Sequence, residues 1–243
     1  MENFIKHKCG EDFFAAKKII DLLLIDAPSM FFSGAFILYP KTHHVIQSEA
    51  LEVDDVNSIT SFCAQDSLYL ELYTQTSYFV QKHHEEFTPI HVEYLYKSAE
   101  ESDLRTLAST QEILKAGVIV RKGEEQAVLK KFQDKFPHLE TVVAYGAAHP
   151  DIAFLNLVSK NATRKNALTQ LCQELEVSPS ECMAFGDGSS DITFLKECGC
   201  GVAMGNATDD VKASADYVTK HVEENGVAYA LQRLVLQETQ VVH

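Results

Sequence analysis

The strongest constraint on the fold lies in the C-terminal third, where short apolar runs alternate with amphipathic segments. Ala167, Leu168, Leu171, Cys172 and Leu175 recur on one face at helical spacing. Cys182–Phe185 then reads as a buried strand, Ile192–Cys198 as a helix and Gly201–Met204 as a second strand. Val211–Ala215 is a further helix, Tyr217–Thr219 a short strand and Val227–Leu236 a closing helix. Continuous apolar strands belong to parallel sheets covered by helices, so this alternation predicts a doubly wound α/β sheet.

The first 160 residues read differently. Phe13, Ala16, Ile19, Ile20 and Leu23 mark a helix over 13–24, which Pro28 cannot continue. Met30–Tyr39 is one apolar run with a glycine in it and predicts a strand of the covered parallel sheet. From Gln47 onward come a helix at Leu51–Ile59 and paired strands at Leu68–Tyr73 and Tyr78–Val80. Next are a helix at Leu104–Ser109, a strand at Gly117–Val120, a helix at Glu124–Phe136, and paired strands at Thr141–Ala144 and Ile152–Leu155. Strand pairs separated by short turns predict an antiparallel sheet with helices on one side. His83, His84, His91 and Tyr94 fall in this region and read as exposed polar residues.

Composition narrows the function classes. The 243 residues carry a net charge of −14, which argues against nucleic acid and anionic membranes as partners. The uncharged run Ala27–Pro40 is too short to span a bilayer and is bounded by prolines. Six cysteines, Cys9, Cys63, Cys172, Cys182, Cys198 and Cys200, show no CxxC pair or zinc spacing and predict free thiols in a reducing compartment. Met1–Gly10 has no apolar signal-like core, so a cytoplasmic chain is expected.

The chemistry concentrates in FGDGSSDITFL, Phe185–Leu195. Ligands of open parallel sheets sit at the carboxyl ends of strands, and Asp187 falls there. Asp191 lies four residues on, and Gly186 and Gly188 permit a tight turn. Two acids converging on a strand end suit Mg²⁺, which takes carboxylates, waters and substrate phosphate. A purely structural alternative stands beside this one, with Ser189 or Ser190 capping the helix and Asp191 favourable in its first turn. Lys165 opens the preceding helix; the ordinary reading there is a solvated lysine, and the functional one an ammonium that reaches a phosphate or balances the carboxylates. Val202–Ala207 offers a second glycine-bearing strand end.

GDGSSDITFLKECGCGVAMGNATDDVKASADYVTKHVEENGVA, Gly186–Ala228, resembles the signature of haloacid dehalogenase superfamily phosphatases of the Cof-like branch, which carry a large inserted cap. Arg164–Leu168 resembles the family's lysine motif, Asp151–Ser159 its last cap strand, Gln111–Phe136 the middle of the cap, and Pro28–Tyr39 the third core strand. The resemblance implies a Rossmann-like core over 1–45 and 158–243, interrupted by an α+β cap over 46–157. It implies a Mg²⁺-dependent phosphatase of small phosphorylated metabolites such as sugar phosphates, working through an aspartyl-phosphate. On that pattern Asp187 and Asp191 are the metal acids, Lys165 faces the phosphate, and Asn206, Ser33 and Gly34 lie at the phosphate site.

The chain departs from the family in one large respect. The nucleophile motif Asp-x-Asp-Gly-Thr occurs nowhere in it, and Asn3–Gly10 lacks the Thr-Gly-Arg expected before the first helix. Ser190 stands for the usual asparagine, and Ser33-Gly34-Ala35 for Asn-Gly-Ala. The core is therefore expected to be N-terminally incomplete, with an exposed sheet edge open to pairing with a second copy. Two functional expectations follow: a phosphatase whose nucleophile this chain lacks, or an inactive relative with a binding or regulatory role.

Overall fold

The computed structural model describes residues 13–95, 97–146 and 149–236. The chain forms two compact units, one ending at Thr163 and one beginning at Arg164. The first runs α1 (Phe13–Leu23), β1 (Ser29–Phe31), β2 (Phe36–Tyr39), β3 (His44–Ser48), α2 (Val53–Gln65), β4 (Tyr69–Tyr73), β5 (Tyr78–Val80), α3 (Phe87–Leu95), β6 (Glu100–Glu101), α4 (Leu104–Leu107), β7 (Lys115–Arg121), α5 (Glu125–Lys135), β8 (Leu139–Gly146) and β9 (His149–Ser159). The second runs α6 (Arg164–Glu174), β10 (Met183–Gly186), α7 (Ile192–Glu197), β11 (Cys200–Ala203), α8 (Asp209–Lys212), β12 (Tyr217–Val218) and α9 (Gly226–Leu231).

In the first unit six strands form one sheet, in the order β6-β5-β4-β7-β9-β8. Every neighbouring pair is antiparallel except β5 with β6. Register sets Leu70, Val118 and Leu155 in one row across β4, β7 and β9, and Leu72, Ala116 and Leu157 in another. Because side chains alternate with period two, these residues make one apolar face. Val56 and Ile59 of α2, Leu104 and Leu107 of α4, and Val128 and Phe132 of α5 pack against it. Asp54 and Asp55 sit in the first turn of α2, where the helix dipole favours anions. Burial, reinforced by Asp66, pushes the Cys63 thiol on that helix up to about 12.

The opposite face of this sheet is also covered, which corrects the expectation of helices on one side only. α3 lies on it, with Ile90 packed among Ile119, Ile152 and Phe154. The sequence pattern did not show this helix, because Pro89 and a mixed polar composition hide its period, although proline is tolerated in a first turn. His91 is a correction to the expected exposed histidine: its side chain is only 12% exposed. Its Nδ1 is hydrogen-bonded to the fully buried Glu71 carboxylate, whose Oε2 also accepts from the Tyr73 hydroxyl at 2.5 Å. A carboxylate at that depth requires such partners, so the pair ties α3 to the sheet. His83 and His84 are exposed, as expected. His84 Nδ1 also accepts the Glu86 and Phe87 N–H groups at 3.2 Å each, at the start of α3. The side chain of Tyr94 lies outside the described residues.

Met30–Tyr39 corrects the expected single parallel strand. β1 and β2 form an antiparallel hairpin, Ser29 opposite Leu38 and Phe31 opposite Phe36, which β3 extends. The chain reverses through Phe32 (φ 52°), Ser33 (φ 59°) and Gly34 (φ 104°). A left-handed non-glycine residue costs about 1–2 kcal/mol; here that is offset by complete burial of Phe32 in a cluster with Phe31, Phe36 and Leu38. β3 and β6 carry no alternating apolar pattern that a sequence reading would detect.

The second unit has the predicted alternation. β10, β11 and β12 are parallel, with Met183 beside Cys200 and Gly186 beside Ala203. Leu195 of α7 packs with Ala203, Ala207 and Val211. The expected buried strand at 182–185 needs correcting, because Met183, Ala184 and Phe185 are half-buried. Among the described residues β11 is the one strand paired with β10. Asn3–Gly10 lies outside the described residues, and no described helix is long and apolar enough to cross a membrane.

Two substitutions test the separate cores. Phe132→Ala empties the space beside Phe62, whose ring stands 5.1 Å away, and is expected to cost about 3–5 kcal/mol in urea unfolding. Gly201→Ala would place a methyl 2.1 Å from the Leu195 carbonyl oxygen. It is expected to cost about 1–3 kcal/mol or more, with earliest loss of hydrogen-exchange protection in α7 and β11.

Candidate functional site

Parallel pairing of β10 with β11 brings the two strand ends side by side, as open α/β sheets do at their ligand crevices. Asp187 directly follows β10, and Asn206 lies three residues beyond β11. Asn206 Nδ2 donates to Asp187 Oδ2 at 2.9 Å, while its Oδ1 accepts from the Val222 N–H at 3.2 Å. The amide is thus held at both ends and orients the acid. Asp187 is exposed, and its Oδ1 makes no hydrogen bond among the described residues.

Asp191 has a different setting. Its Oδ2 accepts from the backbone N–H of Asp187 at 3.1 Å and of Gly188 at 3.0 Å, closing the loop on itself. To do so the side chain folds back over the strand end, where a Cβ on Gly186 would stand 2.5 Å from the Asp191 Cβ. Glycine is required there by space. The geometry therefore separates two acids that look equivalent in the sequence: Asp191 shapes the loop and Asp187 faces outward from it.

Arg164 is the cation that the described residues place beside Asp191. Its Nη1 stands 3.6 Å from Asp191 Oδ1, and the two side chains are only 14% and 17% exposed. Lys165, expected to face the phosphate, instead donates to Glu197 Oε1 at 2.8 Å with its side chain 61% exposed. Helical rotation explains the correction. Arg164 shares the i, i+4, i+7 stripe with Leu168 and Leu171, which are buried, whereas Lys165 is turned by about 100°. The adjacency of two basic residues was visible in the sequence; which one turned inward was not.

Asp187, Asp191, Arg164 and Asn206 are thus gathered in the second unit. Ser33 and Gly34 lie in the first, at the left-handed turn between β1 and β2. Among the described residues no three His, Cys, Asp or Glu side chains cluster closely enough to hold a metal. The donors that are present nevertheless suit Mg²⁺: Asp187 offers an open hard oxygen, and this ion commonly takes one or two carboxylates with waters and phosphate completing its shell. Asp191 fits less well as a direct ligand, because one oxygen is held by two amides and the other faces a guanidinium.

Comparison with known proteins shows the family. The model of the haloacid dehalogenase-like hydrolases matches residues 9–231. Phosphatase YwpJ of Bacillus subtilis is 26% identical over 232 residues, covering 84% of this chain and 78% of that protein. The 5-amino-6-(5-phospho-D-ribitylamino)uracil phosphatase YcsE of the same organism is 47% identical over 70 residues, covering 29% of this chain and 28% of that one. Other curated phosphatases are matched over only 31% to 47% of their own length. Among solved structures, the subclass IIB sugar phosphatase BT4131 superposes with a TM-score of 0.73 at 25% identity, covering 90% of this chain and 79% of that one. With its parallel Rossmann-like unit, its α+β sheet and a match spanning most of its length, the chain belongs to the haloacid dehalogenase-like hydrolases.

Proposed function

We propose that the ends of β10 and β11 form the Mg²⁺- and phosphate-binding side of a phosphatase site for small phosphorylated metabolites, sugar phosphates among them. The observation that carries this reading is Asp187, an exposed carboxylate at a parallel strand end, oriented by Asn206 and left with one open oxygen. The phosphatases named among its relatives support it, as does the sugar phosphatase BT4131.

Each residue has a role that follows from its setting. Asp187 Oδ1 would hold the ion. Mg²⁺, when bound, neutralises phosphate charge. Asp191 keeps the loop folded so that Asp187 faces outward, acting as a positioning residue. Arg164 brings a permanent positive charge to this end of the sheet, suited to a phosphate oxygen. The Ser33 hydroxyl and the Gly34 N–H are donors of the kind a phosphate accepts, in a turn with the unfavourable backbone that clusters at ligand sites. In this reading residues 46–157 are the cap that selects the leaving group, with 1–45 and 158–243 as the core, and the chain works in the cytoplasm.

Family chemistry proceeds through an aspartate in Asp-x-Asp-Gly-Thr, and residues 1–243 contain no such run. The same observation favours a second reading, in which this chain binds a phosphate ester without hydrolysing it and serves a regulatory role. β10, paired on one side among the described residues, is where a second copy would add a strand; sedimentation of the purified chain at rising concentration checks that contact.

Calorimetric titration of Mg²⁺ in the presence of inorganic phosphate tests the site. The expected result is a binding heat that Asp187→Ala abolishes, Arg164→Met weakens and Lys165→Met leaves unchanged. An unaltered heat with Asp187→Ala overturns the assignment. For turnover, p-nitrophenyl phosphate is expected to be hydrolysed by this chain no faster than by its Asp187→Ala variant. Asp191→Ala leaves two backbone N–H groups without their charged acceptor and is expected to cost about 1.5–3 kcal/mol in urea unfolding, with faster hydrogen exchange at Asp187 and Gly188.

A further inference from the structure

Cys172 and Cys182 are ten positions apart, and nothing in their spacing pairs them. The fold does: their sulfurs stand 3.7 Å apart. Cys172 lies on the buried stripe of α6, while Cys182 is half-buried just before β10 and its sulfur is 3.6 Å from the Ser178 carbonyl oxygen. The backbone around Cys182 is well anchored, its N–H donating to Pro179 O at 3.0 Å and its carbonyl accepting from the Cys200 N–H at 3.2 Å. A disulfide is about 2.05 Å long, so side-chain rotation has a short distance to close while this backbone stays in place.

We propose that Cys172 and Cys182 are an oxidation site, a reversible dithiol–disulfide pair that ties α6, the helix opening with Arg164, to the strand leading into Asp187. The oxidant class is a small-molecule disulfide, with oxidised glutathione as the probe. Cys182, the more accessible sulfur, reacts first: its thiolate, having released a proton to solvent, attacks one glutathione sulfur. A protein–glutathione mixed disulfide forms and one glutathione thiolate leaves, which takes up a proton. Cys172 then loses its proton, attacks the Cys182 sulfur and expels the second glutathione. The two protein thiols are oxidised to one disulfide, and one oxidised glutathione is reduced to two thiols. Burial, together with the adjacent Cys182, pushes the Cys172 thiol up to about 11. Its thiolate is therefore scarce near neutral pH, which fits it to the resolving step rather than to first attack.

The experiment incubates the folded full chain with oxidised glutathione, follows near-ultraviolet circular dichroism to confirm folding, and maps links by mass spectrometry of the unreduced digest. The expected product is a peptide pair joined through Cys172 and Cys182, two hydrogens lighter and restored by dithiothreitol. Hydrogen exchange over Met183–Gly188 should slow in the oxidised form. Cys172→Ser should stop at a single glutathione adduct on Cys182, and Cys182→Ser should leave Cys172 unmodified under the same conditions. Glutathione retained on Cys182 of the unmutated chain without the link, or links dominated by other cysteines, overturns the proposal.

Discussion

The candidate site rests on one carboxylate folded backward. Asp191 accepts hydrogen bonds from the amides of Asp187 and Gly188, and only the absence of a side chain at Gly186 leaves room for it. That loop sets where β10 ends and α7 begins, and so where Asp187 faces. Asn206 joins it from the end of β11 because parallel strands in register deliver both ends to the same place. The site is thus a product of backbone geometry more than of accumulated charge, and its exposed acid is held by neutral groups.

The first unit solves a different problem with the same materials. Its six-stranded sheet buries an aliphatic face under α2, α4 and α5 through the hydrophobic effect alone. Its other face mixes Ile119 and Phe154 with Glu71, Tyr73 and His91, so burial there depends on polar groups satisfying one another. The aliphatic face tolerates volume-conserving exchange more readily than the mixed one, where removing a partner exposes a buried carboxylate to an apolar surround. The hairpin turn at Phe32–Gly34 shows a third balance, in which unfavourable backbone angles persist because aromatic packing holds them.

α6 links several of these features. Its buried stripe carries Arg164 at one end and Cys172 near the other, while Lys165 lies off that stripe and binds Glu197. A bond between Cys172 and Cys182 would restrain the helix against the entry to β10 without touching Asp187 itself. Redox state and ligand binding would then act on one element from opposite ends, through the α6–β10 packing.

The sequence by itself determined the alternating C-terminal unit, the antiparallel strand pairs with helices packed on one face, though not α3 on the other, and the carboxylates at a strand end, because periodicity and glycine placement are local properties of the chain. Only the tertiary structure decided that Met30–Tyr39 turns back on itself, since the left-handed angles at Phe32 and Ser33 belong to residues that usually avoid them. Only it separated Asp187 from Asp191, whose roles differ by which backbone amides lie within reach. The inward turn of Arg164 past Lys165 depends on where a helix meets its core, and the burial of His91 on a helix crossing a distant strand. The meeting of Cys172 with Cys182 is likewise a matter of packing, which joins residues that spacing leaves unrelated.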